Sequence, residues 1–398
     1  KASVVLLLLC MSPRLAYSQA GLNDTTFNTS DISTIKDPRG VNGYVGSSLN
    51  LPNGKILIGG NFSSYNGQSI NGIARLNANG NLDASFHSGL AAGDAVDFIL
   101  LQSNNKLIIG GSFTQYDGTS ANQIVRINAN GTLDATFNAT VGANGPITKA
   151  ILEPSGKIII IGNFTQYNGV NKNGIVRLRP NGQLDPTFNY SDTTDHEPTS
   201  LALQPDGKIV VTFTDNSAND NLIVRLNGNG AVDPTFTVES REGSSNSISL
   251  GAIAIQADGK IVVAGTIFSG LESIHGYCVR VNSDGSTDPT FTPPTSTTGL
   301  NNISIQSNGK IVLSGFYKNN YIEKPYSTNT LERFNTDGSS DVTFKNYSSI
   351  AGVGFYNFIT SLQPDGKIIL GGSFKHPQSG ITRLNSDGSV DINFNKIM

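Results

Sequence analysis

The chain has 398 residues, a length that at roughly 150 residues per domain fits two or three domains. Only 14% of them are charged, and 27 Lys and Arg against 30 Asp and Glu leave a net charge of −3, so no basic field exists for nucleic acid. Glycine is abundant at 44 and Trp is absent, yet hydrophobic residues make up 37% and fall in short regular clusters, which points away from disorder and toward many short strands.

The first twenty residues read as an address. Lys1 precedes the apolar stretch Ala2–Met11, and Ser12, Pro13 and Arg14 lead into Leu15–Ala20. A basic start, an apolar core of about ten residues and small residues at a cleavage site are the order of a secretory signal. Cleavage is expected after Ala20, with Ser18 as the alternative. A lipid anchor on Cys10 fits less well, because Leu9 stands where such a signal wants Gly or Ala. Residues 1–20 are therefore read as a signal peptide and 21–398 as one domain, secreted or held at the cell surface. Past this stretch no apolar run approaches the roughly 20 residues that span a bilayer, so the mature chain is expected to lack a transmembrane segment. Cys278 is left as a lone thiol on an apolar strand, and no Cys/His spacing resembles a zinc site.

An internal repeat organises the rest. A turn followed by Lys recurs at Lys55, Lys106, Lys157, Lys208, Lys260, Lys310 and Lys367, in steps of 51, 51, 51, 52, 50 and 57. An Arg two residues after an apolar one is followed eight residues later by Asp-x-x-Phe: Arg75 and Asp83, Arg126 and Asp134, Arg177 and Asp185, Arg225 and Asp233, Arg280 and Asp288, Arg333 and Asp341, Arg383 and Asp391. Such fixed offsets mark one supersecondary unit of about 50 residues, used seven times.

Repeat three predicts four strands: 147–153, 157–164, 175–179 and 184–188, with turns at Pro154-Ser155-Gly156 and Pro180-Asn181-Gly182. No apolar i, i+3, i+4 stripe runs long enough for a helix. The turn before the fourth strand reads Asn-x-Asn/Asp-Gly, as in Asn77-Ala78-Asn79-Gly80. Glycine at the third loop position fits a type I turn followed by a left-handed residue, a three-residue hairpin with a G1 bulge. That loop sets Arg75 opposite Asp83 and predicts a cross-strand ion pair in every unit.

Seven four-stranded units predict an all-β fold, a β-propeller of seven blades, with a β-helix or open solenoid as the runner-up. Asp185-Pro186, Asp233-Pro234 and Asp288-Pro289 place the fourth strand at the outer edge, where a missing N–H is tolerated. Asp24-Thr25-Thr26-Phe27 is a surplus copy of the fourth-strand motif. It leaves open a strand that closes the ring, a strand that caps an edge, or an eighth blade.

Units such as Gly54-Lys55-Ile56-Leu57-Ile58-Gly59-Gly60-Asn61-Phe62, Tyr65-Asn66-Gly67 and Leu82-Asp83-Ala84-Ser85-Phe86 resemble the bacterial delta-sixty repeat, over residues 22–394. The resemblance implies an exported bacterial protein with a propeller-like fold, and no known reaction. The Gly-Gly that ends the second strand also resembles kelch repeats by analogy, although the kelch Trp is missing. Repeat four departs, with Thr212-Phe213 in place of Gly-Gly.

In a four-stranded meander the first and third turns share one face, and the longer loops share the other, where binding sites concentrate. Tyr65, Tyr116 and Tyr167 fall in those loops, and repeat six inserts residues there with Tyr317, Tyr321 and Tyr326. Aromatics among Asn and Ser can stack on sugar rings or dock a protein. The competing reading is that each Tyr packs its own loop, and the irregular repeat-six set is the better candidate for binding. Asn282, Asp284 and Asp288 resemble a calcium loop but lack its ladder of ligands and bidentate Glu. Turn chemistry explains them without a metal, so no cofactor is expected and calcium is the one candidate. His87, His196, His275 and His376 form no motif, though His196 lies beside Asp195 and Glu197. The expected function is a monomeric scaffold that binds a protein or a glycan. The alternatives are a polysaccharide hydrolase or lyase with carboxylates around a central channel, and a purely structural adhesion module.

Overall fold

The computed structural model describes residues 39–137, 142–191, 196–215, 221–238, 247–269, 273–293, 299–318, 327–345, 359–374 and 379–396. The expected signal peptide, Asp24–Phe27, Asp195, Tyr321, Tyr326 and His376 lie outside them. Alternating apolar runs between Gly-rich turns give seven three-stranded antiparallel sheets, each in the order first, second, third. Blade one is Tyr44–Asn50, Ile56–Asn61 and Ile73–Leu76; blade two is Ala95–Leu101, Leu107–Ser112 and Ile124–Ile127. Blade three is Ile147–Leu152, Ile158–Gly162 and Ile175–Leu178; blade four is His196–Leu203, Ile209–Asp215 and Asn221–Leu226. Blade five is Ser247–Ile255, Ile261–Ser269 and Ser273–Val281; blade six is Gly299–Ile305, Ile311–Lys318 and Ser327–Phe334. Blade seven is Ile359–Leu362, Ile368–Gly371 and Ile381–Leu384.

The fourth strand predicted for each unit is reduced to one bridge, such as Leu178↔Leu184 or Leu76↔Leu82. The Asp that follows stops it. Asp185 Oδ1 accepts from the Thr187 amide at 3.1 Å and from its hydroxyl at 2.8 Å, and the Phe188 amide bonds back to the Asp185 carbonyl. This Asx turn bends the chain away from the sheet after a single pair. Pro186 sits inside that turn, where no ladder N–H is needed. The preceding hairpin has the predicted form: Gly182 has φ +86°, and its amide donates to the Arg179 carbonyl.

Second strands are buried throughout, as in Ile158–Gly162, so each sheet covers both faces against its neighbours. Among the described residues a separate apolar cluster fills each blade-to-blade interface. One of them joins Val45, Ile56 and Ile58 of blade one to Ile369, Ile381 and Phe394 of blade seven, which closes the ring. Backbone bonds strengthen this seam: Val41 N donates to Ser379 O at 2.9 Å, and Asn395 N to Asn79 O at 2.7 Å.

The Gly-Gly pairs answer to a bulge in the innermost strand. Register shifts between Val45 and Ser47, Val96 and Phe98, Ile147 and Lys149, Pro198 and Ser200, Leu250 and Ala252, and Leu300 and Asn302 mark the same place in six blades. The backbone there crowds the second glycine: a Cβ on Gly60 would stand 2.1 Å from Tyr44 O, and one on Gly265 2.2 Å from Ser249 O. Blade four carries Phe213 instead, paired with Pro198, and its ring stacks on Tyr190 with centroids 6.1 Å apart.

Candidate functional site

Two places concentrate polar chemistry: the joints between blades and the strands around the axis. At each joint an Asp is held by two cations. Arg126 Nε lies 2.5 Å and Lys106 Nζ 2.6 Å from Asp134 Oδ2. The seven Arg Nε–Asp distances run from 2.5 to 2.8 Å, in Arg75, Arg126, Arg177, Arg225, Arg280, Arg333 and Arg383. The guanidinium then reaches the next blade. Arg126 Nη1 donates to Pro180 O at 2.6 Å, Arg177 Nη1 to Gly228 O at 2.5 Å, and Arg383 Nη1 to Ala78 O at 2.6 Å across the seam. Each guanidinium also lies over the Phe of its own Asp-x-x-Phe, at 4.5–5.2 Å from the centroid.

The backbone completes this latch. The residue after the Phe donates to the carbonyl beside the one that Arg takes: His87 N to Asn130 O, Asn189 N to Asn229 O, Lys345 N to Asp387 O. The bulge glycine of that turn leaves room for it, since a Cβ on Gly388 would lie 2.7 Å from Lys345 O. Burial works against ionisation of Asp134, but hydrogen bonds from Lys106, Thr136 and Arg126 outweigh it and hold the carboxyl well below the usual carboxylate range. For Asp233 and Asp288 the leading cause is the Lys208 or Lys260 hydrogen bond, with the same direction. These groups join blades.

Tyr65, Tyr116 and Tyr167 offer no surface for stacking, which corrects their reading as ligand contacts. All three are fully buried. Their hydroxyls donate to Gly80 O at 2.6 Å, Gly131 O at 2.5 Å and Gly182 O at 3.4 Å, tying each loop to its own blade. Burial pushes all three hydroxyls above the ordinary tyrosine range. Tyr317 pairs with Thr328 in the extended hairpin of blade six.

The calcium-like loop is engaged in its own turn. Asp284 Oδ1 accepts from Ser286 N at 2.9 Å and Ser286 Oγ at 2.7 Å, Asn282 Nδ2 donates to Ser286 Oγ, and Asp288 belongs to a latch. His196 lies against the Phe213 ring, while Glu197 accepts from Asn163 Nδ2 at 2.8 Å. His87 Nε2 lies 2.6 Å from Asp117 Oδ1 on the surface. Burial pushes the Cys278 thiol up to about 12.

Around the axis the innermost strands carry hydroxyls and amides that bond from blade to blade. Asn302 Oδ1 accepts from Thr360 Oγ1 at 2.7 Å, Ser304 Oγ lies 2.7 Å from Thr360 Oγ1, and Asn50 Nδ2 donates to Ser361 Oγ at 2.6 Å. At and just after the bulge two ionisable groups stand among them, Asp97 and Lys149. Asp97, in the bulge of blade two, has its carboxyl pushed up by burial. Lys149, just after the bulge of blade three, donates to Ser200 Oγ at 3.0 Å and Gly251 O at 2.7 Å, and burial pulls its ammonium down to about 8. Neither was singled out by the sequence. Aligning the repeats would have found Lys149, because the other blades carry Ser47, Phe98, Ser200, Ala252, Asn302 and Ile359 there.

The loop-bearing face is uneven. Blades one to three end in two-residue hairpins, such as Ser64–Tyr65 with Gln68–Ser69, around Asn66 and Gly67 at positive φ. In blade five the second and third strands run nine residues each, against six for the second strand of blade one. At 3.3 Å per residue the second strand of blade five is about 10 Å longer. Among the described residues no helix is long and apolar enough to cross a membrane.

Comparison with known proteins agrees with this architecture. Among solved structures the chain is similar to the WD40 propeller domain of Doa1, at 14% identity and a TM-score of 0.57, over 87% of this chain and 93% of that one. It is also similar to the extracellular domain of the hybrid two component system BT4673 from B. thetaiotaomicron (14% identity, TM-score 0.51, 87% of this chain and 40% of that one). A third likeness is to puromycin hydrolase, at 12% identity and a TM-score of 0.53, over 90% of this chain and 54% of that one. At these identities the likeness is one of fold. A search of curated proteins found no match. The family described as "Domain of unknown function (DUF5122) beta-propeller" matches residues 51–86, 102–137, 153–188, 204–236, 256–291, 306–344 and 363–394. With one match in every blade, the chain belongs to the DUF5122 beta-propeller family.

Proposed function

We propose that this propeller is an exported or cell-surface binding scaffold that recognises a protein or glycan partner on its loop-bearing face. The observation that carries the reading is the contrast between the two faces. On one face, turn carbonyls such as Pro180 O, Gly228 O and Ala78 O already accept from a neighbouring blade's Arg. On the other, the second strands of blades four to six run seven to nine residues, beside the packed Tyr-bearing two-residue strands of blades one to three. A rigid ring whose strands end at unequal lengths presents an uneven face, and loops on rigid scaffolds carry recognition. The order of residues 1–20 supports export.

The test is a glycan array and a protein-interaction screen on the full chain, alongside a variant whose blade-six hairpin is replaced by the short loop of blade one. Binding that the exchange abolishes supports the reading. Turnover of a polysaccharide panel with no retained ligand on array or screen would overturn it in favour of an enzyme.

A further inference from the structure

We propose that the axial channel holds a binding site for a small hydroxylated carboxylate, a sugar acid, seated on the arc that runs from Lys149 through Ser200 and Gly251 to Asn301. This goes beyond the loop-face reading and does not rest on it.

Blades three and five are not neighbours in the ring. Their first strands have only the axis in common, so the bond from Lys149 Nζ to Gly251 O, at 2.7 Å, places the ammonium in the channel. A lysine carries three protons. Two of them go to neutral oxygens, Ser200 Oγ and Gly251 O, and among the described residues no carboxylate pairs with the ammonium. By contrast, the repeat lysines end on an Asp, as Lys157 does on Asp185 at 2.8 Å. A half-buried cation without a counter-charge is costly, and a ligand carboxylate would supply the missing partner.

The arc continues past Gly251. Its Cα hydrogen points at blade six, where an added Cβ would lie 3.4 Å from the Asn301 Cα. Asn301 Oδ1 is buried and has no hydrogen-bond partner. A buried acceptor of this kind calls for a donor. The chemistry required is therefore an anionic oxygen at Lys149 and an O–H at Asn301 on one small molecule, which describes a hydroxy acid of the sugar-acid kind. Four successive blades contribute to the arc. The titratable groups on strands packed against the Lys149 strand are Asp97 on blade two and His196 and Glu197 on blade four, with Glu197 accepting from Asn163.

The experiment is calorimetric titration of the full chain with glucuronate, galacturonate and their trimers, each compared with its uncharged methyl ester. At least one acid is expected to bind tenfold or more tightly than its ester at pH 6.5, and to lose up to tenfold in affinity between pH 8 and pH 9 as the ammonium deprotonates. Lys149→Met should remove the preference for acid over ester. Asn301→Ala should weaken the acid several-fold and keep the pH dependence, so the reasoning stays open to test if Lys149→Met does not fold. Acids that bind no better than esters, or an acid preference that survives Lys149→Met, would each overturn it. Loop-face binding, read from the hairpin exchange, stands or falls separately.

Discussion

Asp134→Asn tests whether the latch charges hold the ring together. The substitution keeps the shape and an oxygen for Thr136, so the Asx turn persists, while the charge is removed from between Arg126 and Lys106. The two cations contribute unequally. The Lys106 side chain is 29% exposed and can turn to water, a loss of about 0–1 kcal/mol. The Arg126 side chain is 8% exposed and fixed by Pro180 O, Thr136 and the Phe137 ring, and breaking a buried pair costs about 3–5 kcal/mol. The expected loss is thus about 3 kcal/mol at pH 7, measured by urea unfolding followed by far-UV circular dichroism. The pH dependence follows from the depressed carboxyl. Its contribution is fully present above the unfolded-state value near 3.9 and is lost as the pH falls from there toward the lower folded-state value. The gap between wild type and variant should stay constant from pH 7 to about 4.5 and shrink by pH 3. The other six latches weaken equally in both proteins, so the difference isolates this one. A gap below about 1 kcal/mol at pH 7, or one that does not shrink at pH 3, refutes the reasoning.

Further outcomes follow from other contacts. Gly285→Ala and Gly259→Ala both force a non-glycine residue to positive φ, at about 1–2 kcal/mol, but only at Gly285 would the Cβ meet backbone, 2.7 Å from Thr237 O. Gly285→Ala should therefore cost at least about 1 kcal/mol more than Gly259→Ala in urea unfolding, and equal costs would mean that the inter-blade contact is loose. Tyr116→Phe removes the bond to Gly131 O and should cost about 1 kcal/mol while leaving ligand binding unchanged, since the ring is buried. A change in affinity would restore Tyr116 as a ligand contact. With its thiol pushed up to about 12, Cys278 should resist iodoacetamide at pH 8 in the folded chain and react in urea, as read by mass spectrometry of its peptide.

The latch was half legible in the sequence, and the reason lies in spacing. Arg and Asp share one hairpin, so their offset of eight survives in all seven repeats. Lys and Asp sit on opposite sides of the variable loop, and their separation runs from 24 in Lys367 and Asp391 to 31 in Lys310 and Asp341. No fixed interval announces that pair, although the contact is the same in space. The carbonyl partners of Arg Nη1 are backbone atoms of Ala, Pro, Gly, Ser or Thr, and so have no residue signature. The fourth strand was expected because its apolar residues alternate. The Asp side chain ends it by competing for the amide two residues on, which alternation does not register. The tyrosines were open to a sharper reading, because each hydroxyl lands on a glycine carbonyl fifteen residues ahead.

Repetition also limits where a site can be. A latch recurs because every joint has the same geometry, and residues that follow the repeat are explained by the joints. The axis is different, since seven blades surround one volume and a ligand there meets each blade once. Seven identical charges facing that volume would repel one another in a medium of low dielectric, and the site would hold no orientation. A group that acts at the centre of a ring therefore has to depart from the repeat. Lys149 does so as the one charged residue among Ser47, Phe98, Ser200, Ala252, Asn302 and Ile359, and Asn301 stands at the bulge, a position that the repeat leaves free: the other blades carry Gly46, Asp97, Thr148, Thr199 and Gly251 there. The latch and the axial arc are thus separable: an uncharged Asp134 should loosen the ring without altering selectivity for acids, and an uncharged Lys149 should alter that selectivity while the latches keep their bonds.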